Sequence, residues 1–185
     1  MYKQSEKIDG VIVKTRLGAL WKGMKSRVKA NHTNNVSYQS VSISEDFKDF
    51  QIFAEWASSQ FNLNFKDEHG NHFDLDKDLI NPKLNIYSKE TCTFIPRKIN
   101  IFLRQRLCSN KTLPVGVFAR KCGFKVSSTD VDGKYVYLGT YPCVESAAES
   151  YRKHKLHTAR LLAERYETVI TLEAHQKLIE FYERF

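Results

Sequence analysis

His72, Asp74, Asp76 and Asp78 occupy every second position of the stretch HFDLDKD. In an extended strand that spacing sends alternate side chains to one face, so one face could offer an imidazole and three carboxylates. Carboxylate oxygens are the hard donors that Mg²⁺ and Mn²⁺ take, and a neighbouring imidazole can serve as a general base. The same residues can equally be surface charges on a hairpin, with His72 in the turn before it. The pattern alone leaves both readings open.

A second concentration of chemistry is purely cationic. From Arg97 to Lys125 the chain carries Arg97, Lys98, Arg104, Arg106, Lys111, Arg120, Lys121 and Lys125, and no acidic residue. A window of one sign is costly to pack on itself and favourable along phosphates, although a solvated linker face has the same composition. The whole chain follows the trend, with a formal charge of +8 and a pI near 9.3. Such a surplus favours a polyanionic partner.

The cysteines, Cys92, Cys108, Cys122 and Cys143, include no C-x-x-C pair. Structural zinc sites seat two ligands on one turn, so no structural zinc is expected, and reduced, mostly buried thiols are the reading.

The elements that must position these groups follow from periodicity. Leu17, Leu20, Trp21, Met24 and Val28 fall at helical spacing within residues 17 to 30. Tyr38, Val41 and Ile43 alternate with polar neighbours as in a short strand. An amphipathic helix then opens at Asp46 and runs through Phe50, Phe53, Ala54 and Trp56, its acidic first turn suited to the positive end of the helix dipole. Gly70-Asn71 and Asn81-Pro82 are turn signals, which predict a β-hairpin of DLDKDLI returning as LNIYS, then a short helix from about Pro96 to Leu107.

Residues 113 to 141 carry the strongest β signal, three short runs parted by Cys122-Gly123 and by the hairpin dipeptide Asp132-Gly133. Val126, Val136 and Leu138 can face one way and Ser127, Thr129, Tyr135 and Tyr137 the other. A helix follows with Ala147, Ala148, Tyr151 and Leu162, the two alanines allowing close approach to the sheet. A last amphipathic helix uses Leu172, Leu178, Ile179 and Tyr182.

With 185 residues, 42% of them hydrophobic, the chain can build one ordinary domain or two small ones. No apolar run approaches the roughly 18 residues of a membrane span, and MYKQSEKIDG lacks the apolar core of a signal peptide. The expectation is a soluble cytoplasmic chain, in a bacterial or phage-infected cell, with no membrane partner. No unexplained apolar stripe calls for a second copy, so a monomer is expected.

Val115-Gly116-Val117, Lys125-Val126, Tyr137-Leu138-Gly139-Thr140-Tyr141, Glu145, Ala147-Ala148 and Tyr151 together resemble the Apetala-two (ethylene-response-factor) DNA-binding domain. The resemblance implies a three-stranded antiparallel sheet whose exposed face lies in the major groove, with the helix behind it. Phe118, Arg120, Ser127, Thr129, Tyr135 and Tyr137 would then form the reading side. Arg120 would donate two parallel bonds to guanine, and Lys121, Lys125 and Lys134 would hold phosphates.

The residues Trp21 to Arg27, Tyr38 to Val41, Phe47 to Trp56, Leu75 to Asp78 and Tyr87 to Cys92 resemble the phage-encoded HNH homing endonucleases, in which an HNH finger is often fused to an Apetala-two domain. By that resemblance Asp76 is the first strand ligand for Mg²⁺ or Mn²⁺, with Asp78 a further candidate. Lys77 stands at the position of the usual catalytic His, Thr91 at that of the Asn that orients it, and Asn100 at that of the last ligand. Arg97, Lys98, Arg104 and Arg106 would add phosphate contacts.

The fold expected is therefore α+β: a helical, HNH-like ββα finger domain over residues 1–108, then an Apetala-two-like sheet and helix with a C-terminal helix over 109–185. The function implied is duplex DNA binding with metal-dependent nicking or cleavage. The alternative is a catalytically inactive DNA-binding, regulatory or inhibitory protein that keeps the finger's shape.

Overall fold

The structure is a computed structural model that describes residues 1–29, 41–103 and 113–183. The chain forms two compact units, Met1–Ile95 and Pro96–Phe185. The architecture is mixed α+β, with six helices and four small sheets among the described residues.

In the first unit β1 (Ser5–Ile8) and β2 (Val11–Lys14) form an antiparallel hairpin. Its turn is Asp9-Gly10, both with positive φ, the geometry a two-residue hairpin loop favours. Helix α1 (Arg16–Lys29) follows and buries Gly18, Trp21 and Met24. Gly18 has no alternative, because a Cβ there would lie 2.0 Å from the Gln4 carbonyl oxygen.

The helix expected from Asp46 to Trp56 is two helices, α2 (Glu45–Lys48) and α3 (Phe50–Ser59). Asp49 divides them: its backbone is extended and its carboxylate accepts from the Gln51 and Ile52 amides, so it caps α3 instead of continuing α2. Trp21 donates its indole N–H to the Phe47 carbonyl at 2.9 Å. Phe47, Phe53, Trp56 and Phe94 stack edge and face at centroid distances of 4.9 to 6.0 Å. This aromatic cluster is the core of the unit.

The hairpin predicted between DLDKDLI and LNIYS does not form. Strand β4 (Asp74–Asp76) pairs antiparallel with β6 (Thr93–Ile95), while β5 (Ile86–Tyr87) pairs in parallel with β3 (Ser42–Ile43). The cause is local. Asp76 accepts from the amides of Asp78 and Leu79 and reverses the chain at once, and Leu79 and Ile80 enter the core as turn residues.

In the second unit α4 (Arg97–Leu103) starts immediately after Pro96; the rest of the helix expected to Leu107 lies outside the described residues. Strands β7 (Val117–Arg120), β8 (Gly123–Thr129) and β9 (Tyr135–Tyr141) form an antiparallel sheet in the order β7-β8-β9. It packs on α5 (Val144–Arg165), and α6 (Leu172–Glu183) folds back on α5, burying Ala159, Leu162 and Ala163 with Ala174, Leu178 and Tyr182. Among the described residues no helix is long and apolar enough to cross a membrane.

Candidate nucleic-acid interface

The three-stranded sheet has two unlike faces. Val117 and Val126 bury against Ala147 of α5, with Phe124, Leu138, Tyr141 and Tyr151 packed around them. Gly116, at φ +79°, permits this closeness, since a Cβ there would lie 2.2 Å from the Tyr151 ring. The Tyr141 hydroxyl donates to the Leu138 carbonyl at 2.9 Å and is bonded to the Ser150 hydroxyl at 2.7 Å, which ties the end of β9 to the helix. Between the Val126–Gly139 and Ser127–Tyr137 pairs the register skips Leu138, a bulge that lets β9 carry both Tyr137 and Thr140 on the outer side.

That outer side holds aromatic rings and cations. Phe118 is 41% exposed, Tyr135 62% and Tyr137 56%. The Lys125 ammonium lies 5.5 Å from the Tyr135 ring centroid and 5.9 Å from that of Tyr137. Phe118, Lys125 and Thr140 are register neighbours across the strands, as are Ser127 with Tyr137 and Thr129 with Tyr135. A hydrogen bond from Lys125, then one with Ser127 and the charges of Lys125 and Arg120, holds the Tyr135 phenol below its usual range. Lys125 and Arg120 thus bring positive charge to this face. Arg120 makes a 3.2 Å bond to the Ala119 carbonyl, and Lys121 and Lys134 stand exposed in the β7–β8 and β8–β9 turns.

Arg97 is exposed on α4. Lys98 is engaged: it and Arg165 both donate to Asp132 at the tip of the β8–β9 turn, at 3.3 and 2.9 Å. Arg104 and Arg106 lie outside the described residues. Sequence reasoning misses Asp132 in this role: the sequence marks it only as a turn residue, and nothing in its spacing announces two cationic partners.

The residues expected to carry cleavage are placed differently from a strand face. His72 is exposed and precedes β4, bridged to Lys66, and Asp78 follows the strand in the turn, so the four-residue alternation spans only Asp74 and Asp76 within β4. Asp76 is buried, one carboxylate oxygen accepting from the Asp78 and Leu79 amides at 2.9 and 2.7 Å; burial pushes its carboxyl up to about 6. Lys77 is also buried. Its ammonium donates to the Asp78 carboxylate and to Asn85 Oδ1 at 2.8 Å, beneath the Tyr87 ring. Thr91 donates to the Ile86 carbonyl at 2.6 Å and accepts from the Ser88 amide, closing the turn before β6. Burial pushes the Cys92 thiol beside it up to about 12.

Asn100 belongs to α4 of the second unit. Among the described residues no group of three His, Cys, Asp or Glu side chains converges as a metal site. No protein-family model, curated protein or solved structure matches the chain.

Proposed function

We infer that this protein binds duplex DNA through the outer face of β7–β8–β9. The observation that carries the reading is the cluster of Phe118, Tyr135 and Tyr137 around Lys125, exposed on one side of a sheet whose other side is sealed by α5. A two-stranded or three-stranded ribbon can enter a major groove, where Arg120 reaches a guanine edge and Lys121, Lys125 and Lys134 meet phosphates. The Apetala-two resemblance of Val115–Tyr151 supports the same face, and the net charge of +8 supplies the long-range attraction.

Binding should fall steeply with salt, each neutralised phosphate adding about 0.9 to the logarithmic slope. Titration of a labelled duplex from low to moderate salt tests this, with Arg120→Ala and Lys125→Ala beside the wild type. Arg120→Ala should relax sequence preference; Lys125→Ala should weaken all sequences alike. An affinity flat in salt would remove the reading.

Metal-dependent nicking is the second reading. Its support is the HNH-like residue pattern and the position of Asp76 at the end of a strand that pairs with β6. Against it stands the engagement of Asp76, whose carboxylate already accepts from the Asp78 and Leu79 amides. Supercoiled plasmid incubated with Mg²⁺ or Mn²⁺, wild type beside Asp76→Ala, separates the two: nicking that disappears with Asp76→Ala would establish an endonuclease, and intact plasmid leaves a binding protein in which the finger-like unit is scaffold.

A further inference from the structure

Two tyrosines on the outer face of the sheet have their rings laid down on it. Tyr135 and Tyr137 alternate on β9, so they share that face with Cα atoms about 6.8 Å apart. The Tyr137 hydroxyl is bonded at 2.8 Å to the Thr140 hydroxyl, three residues further along the same strand. To make that bond the ring must run along the sheet instead of standing up from it. The Tyr135 hydroxyl is likewise drawn sideways, to Lys125 and Ser127 on β8. Each residue is nevertheless more than half exposed, at 62% and 56%, so each ring offers a broad surface outward.

Paired bases make poor use of such surfaces. In a duplex each base is covered above and below by its neighbours, and the grooves present base edges. Successive bases of one strand are also about 3.4 Å apart, half the separation of the two tyrosines. Unpaired bases differ on both counts, because they can be splayed out and stacked on aromatic rings. Phe118 on β7 adds a third exposed ring on the far side of Lys125 from β9. Cations stand at both ends of the sheet, Arg120 and Lys121 at the β7–β8 turn and Lys134 at the β8–β9 turn. A backbone crossing the rings therefore meets positive charge on either side of them.

We propose that this face recognises DNA in which unpaired bases adjoin a duplex, as in a bubble or a fork, and stacks those bases on Tyr137 and Tyr135. The proposal rests on the nucleic-acid reading and narrows its substrate: a fully paired duplex engages the cations, and an unpaired segment engages the rings as well.

The test is binding of the full chain to three labelled duplexes of one sequence. The first is fully paired, the second has a central bubble of mismatched bases, and the third has the same bubble built from abasic sites. The bubble should bind roughly ten-fold tighter than the paired duplex, and the abasic bubble, as flexible but without bases, should lose that gain. Tyr137→Ala and Tyr135→Ala should each weaken the bubble complex by roughly five-fold or more and the paired complex by less. Tyr137→Phe keeps the ring and should keep most of the preference. Both residues lie at the surface, so a thermal melt suffices to show that the variants fold. Equal affinity for paired and bubble DNA, an abasic bubble bound as tightly as the mismatched one, or equal losses on both substrates from the alanine variants would each overturn the proposal. Paired duplex bound in a salt-dependent way without any preference sinks this inference alone, whereas no binding to any of the three also removes the nucleic-acid reading. A single strand bound as tightly as the bubble overturns the part assigned to the flanking duplex.

Discussion

The Lys155 ammonium lies 3.4 Å from the centroid of the Phe102 ring and 4.8 Å from that of Tyr182. It donates to the Phe102 carbonyl at 3.2 Å, and the Tyr182 hydroxyl donates to the same oxygen. Two rings and one carbonyl replace water around a cation that is only 6% exposed. Cation–π attraction offsets part of the desolvation cost, and burial still draws the amine down to about 7.

Lys155→Met should therefore stabilise the protein, by about 1–3 kcal/mol, since it fills the same space without a charge. The pH dependence has a definite sign. The folded pKa lies below the unfolded value of about 10.4, so the unfolded chain binds more protons between the two. The stability associated with neutral Lys155 is complete above the unfolded value and is lost as pH falls through the folded one. Chemical denaturation from pH 7 to 9.5 should show wild-type stability rising relative to Lys155→Met, a gap that narrows toward the alkaline end.

Asp76 gives the opposite slope. Its carboxyl is raised to about 6 by burial, above an ordinary value near 3.9, so the folded state holds the proton more tightly. That contribution is complete below about pH 4 and is lost as pH rises through 6. Asp76→Asn keeps an acceptor oxygen for the Asp78 and Leu79 amides and carries no charge; it should match or exceed the wild type at pH 7 and flatten the slope between pH 4 and 6. Asp76→Ala leaves both amides unpaired and should cost roughly 1–2 kcal/mol. Thermal melts of the three proteins across that range check it.

The second unit was more legible from sequence than the first, and the reasons lie in particular residues. Asp132-Gly133 announces a turn because its chemistry is local, and Val126, Leu138 and Ala147 announce a face because their periods are regular. Asp9-Gly10 is the same signal, yet the hairpin it joins is so exposed on both sides that no apolar alternation marks the strands. The partners of β4 and β5 were hidden for another reason: strands of two or three residues hold too few side chains to specify a neighbour, and a single aspartate, Asp76, decides where the chain reverses. Of the candidate sites, the aromatic face was legible because it sits on regular strands. The spread of His72 to Asp78 over bridge, strand and turn was not, because spacing in sequence becomes spacing in space only while the strand lasts.

Gly116 sets how closely the sheet lies on α5. Any side chain there meets both the Tyr151 ring and a positive φ, so Gly116→Ala must move the tyrosine or the loop. We expect a loss of about 1–3 kcal/mol and a drop in duplex affinity that follows the loss of fold. Tyr151→Leu in the same background should recover part of the stability by vacating the ring's space. Urea titrations of the single and double variants measure the coupling directly, and independent losses would mean that Gly116 serves only its backbone conformation.

Asp132 accepts from both Lys98 and Arg165. Its carboxylate is kept well below its usual range, first by the hydrogen bond from Arg165 and next by that from Lys98. The three groups lie at the surface, so the network itself is worth little to stability and is weakened by salt. On the proposed duplex-binding reading its effect on affinity is larger, because a carboxylate beside two cations cancels part of the field that would draw phosphates. Asp132→Asn keeps the turn's size and removes that charge. Duplex affinity at low salt should rise roughly two- to five-fold, the salt slope should steepen toward one more phosphate, and the thermal midpoint should barely move. Lys98→Ala, by contrast, should lower affinity less than Lys125→Ala, since the cation it removes is already partly offset by Asp132. An affinity that falls with Asp132→Asn would show instead that the turn must be pinned for the β8–β9 end of the face to engage DNA.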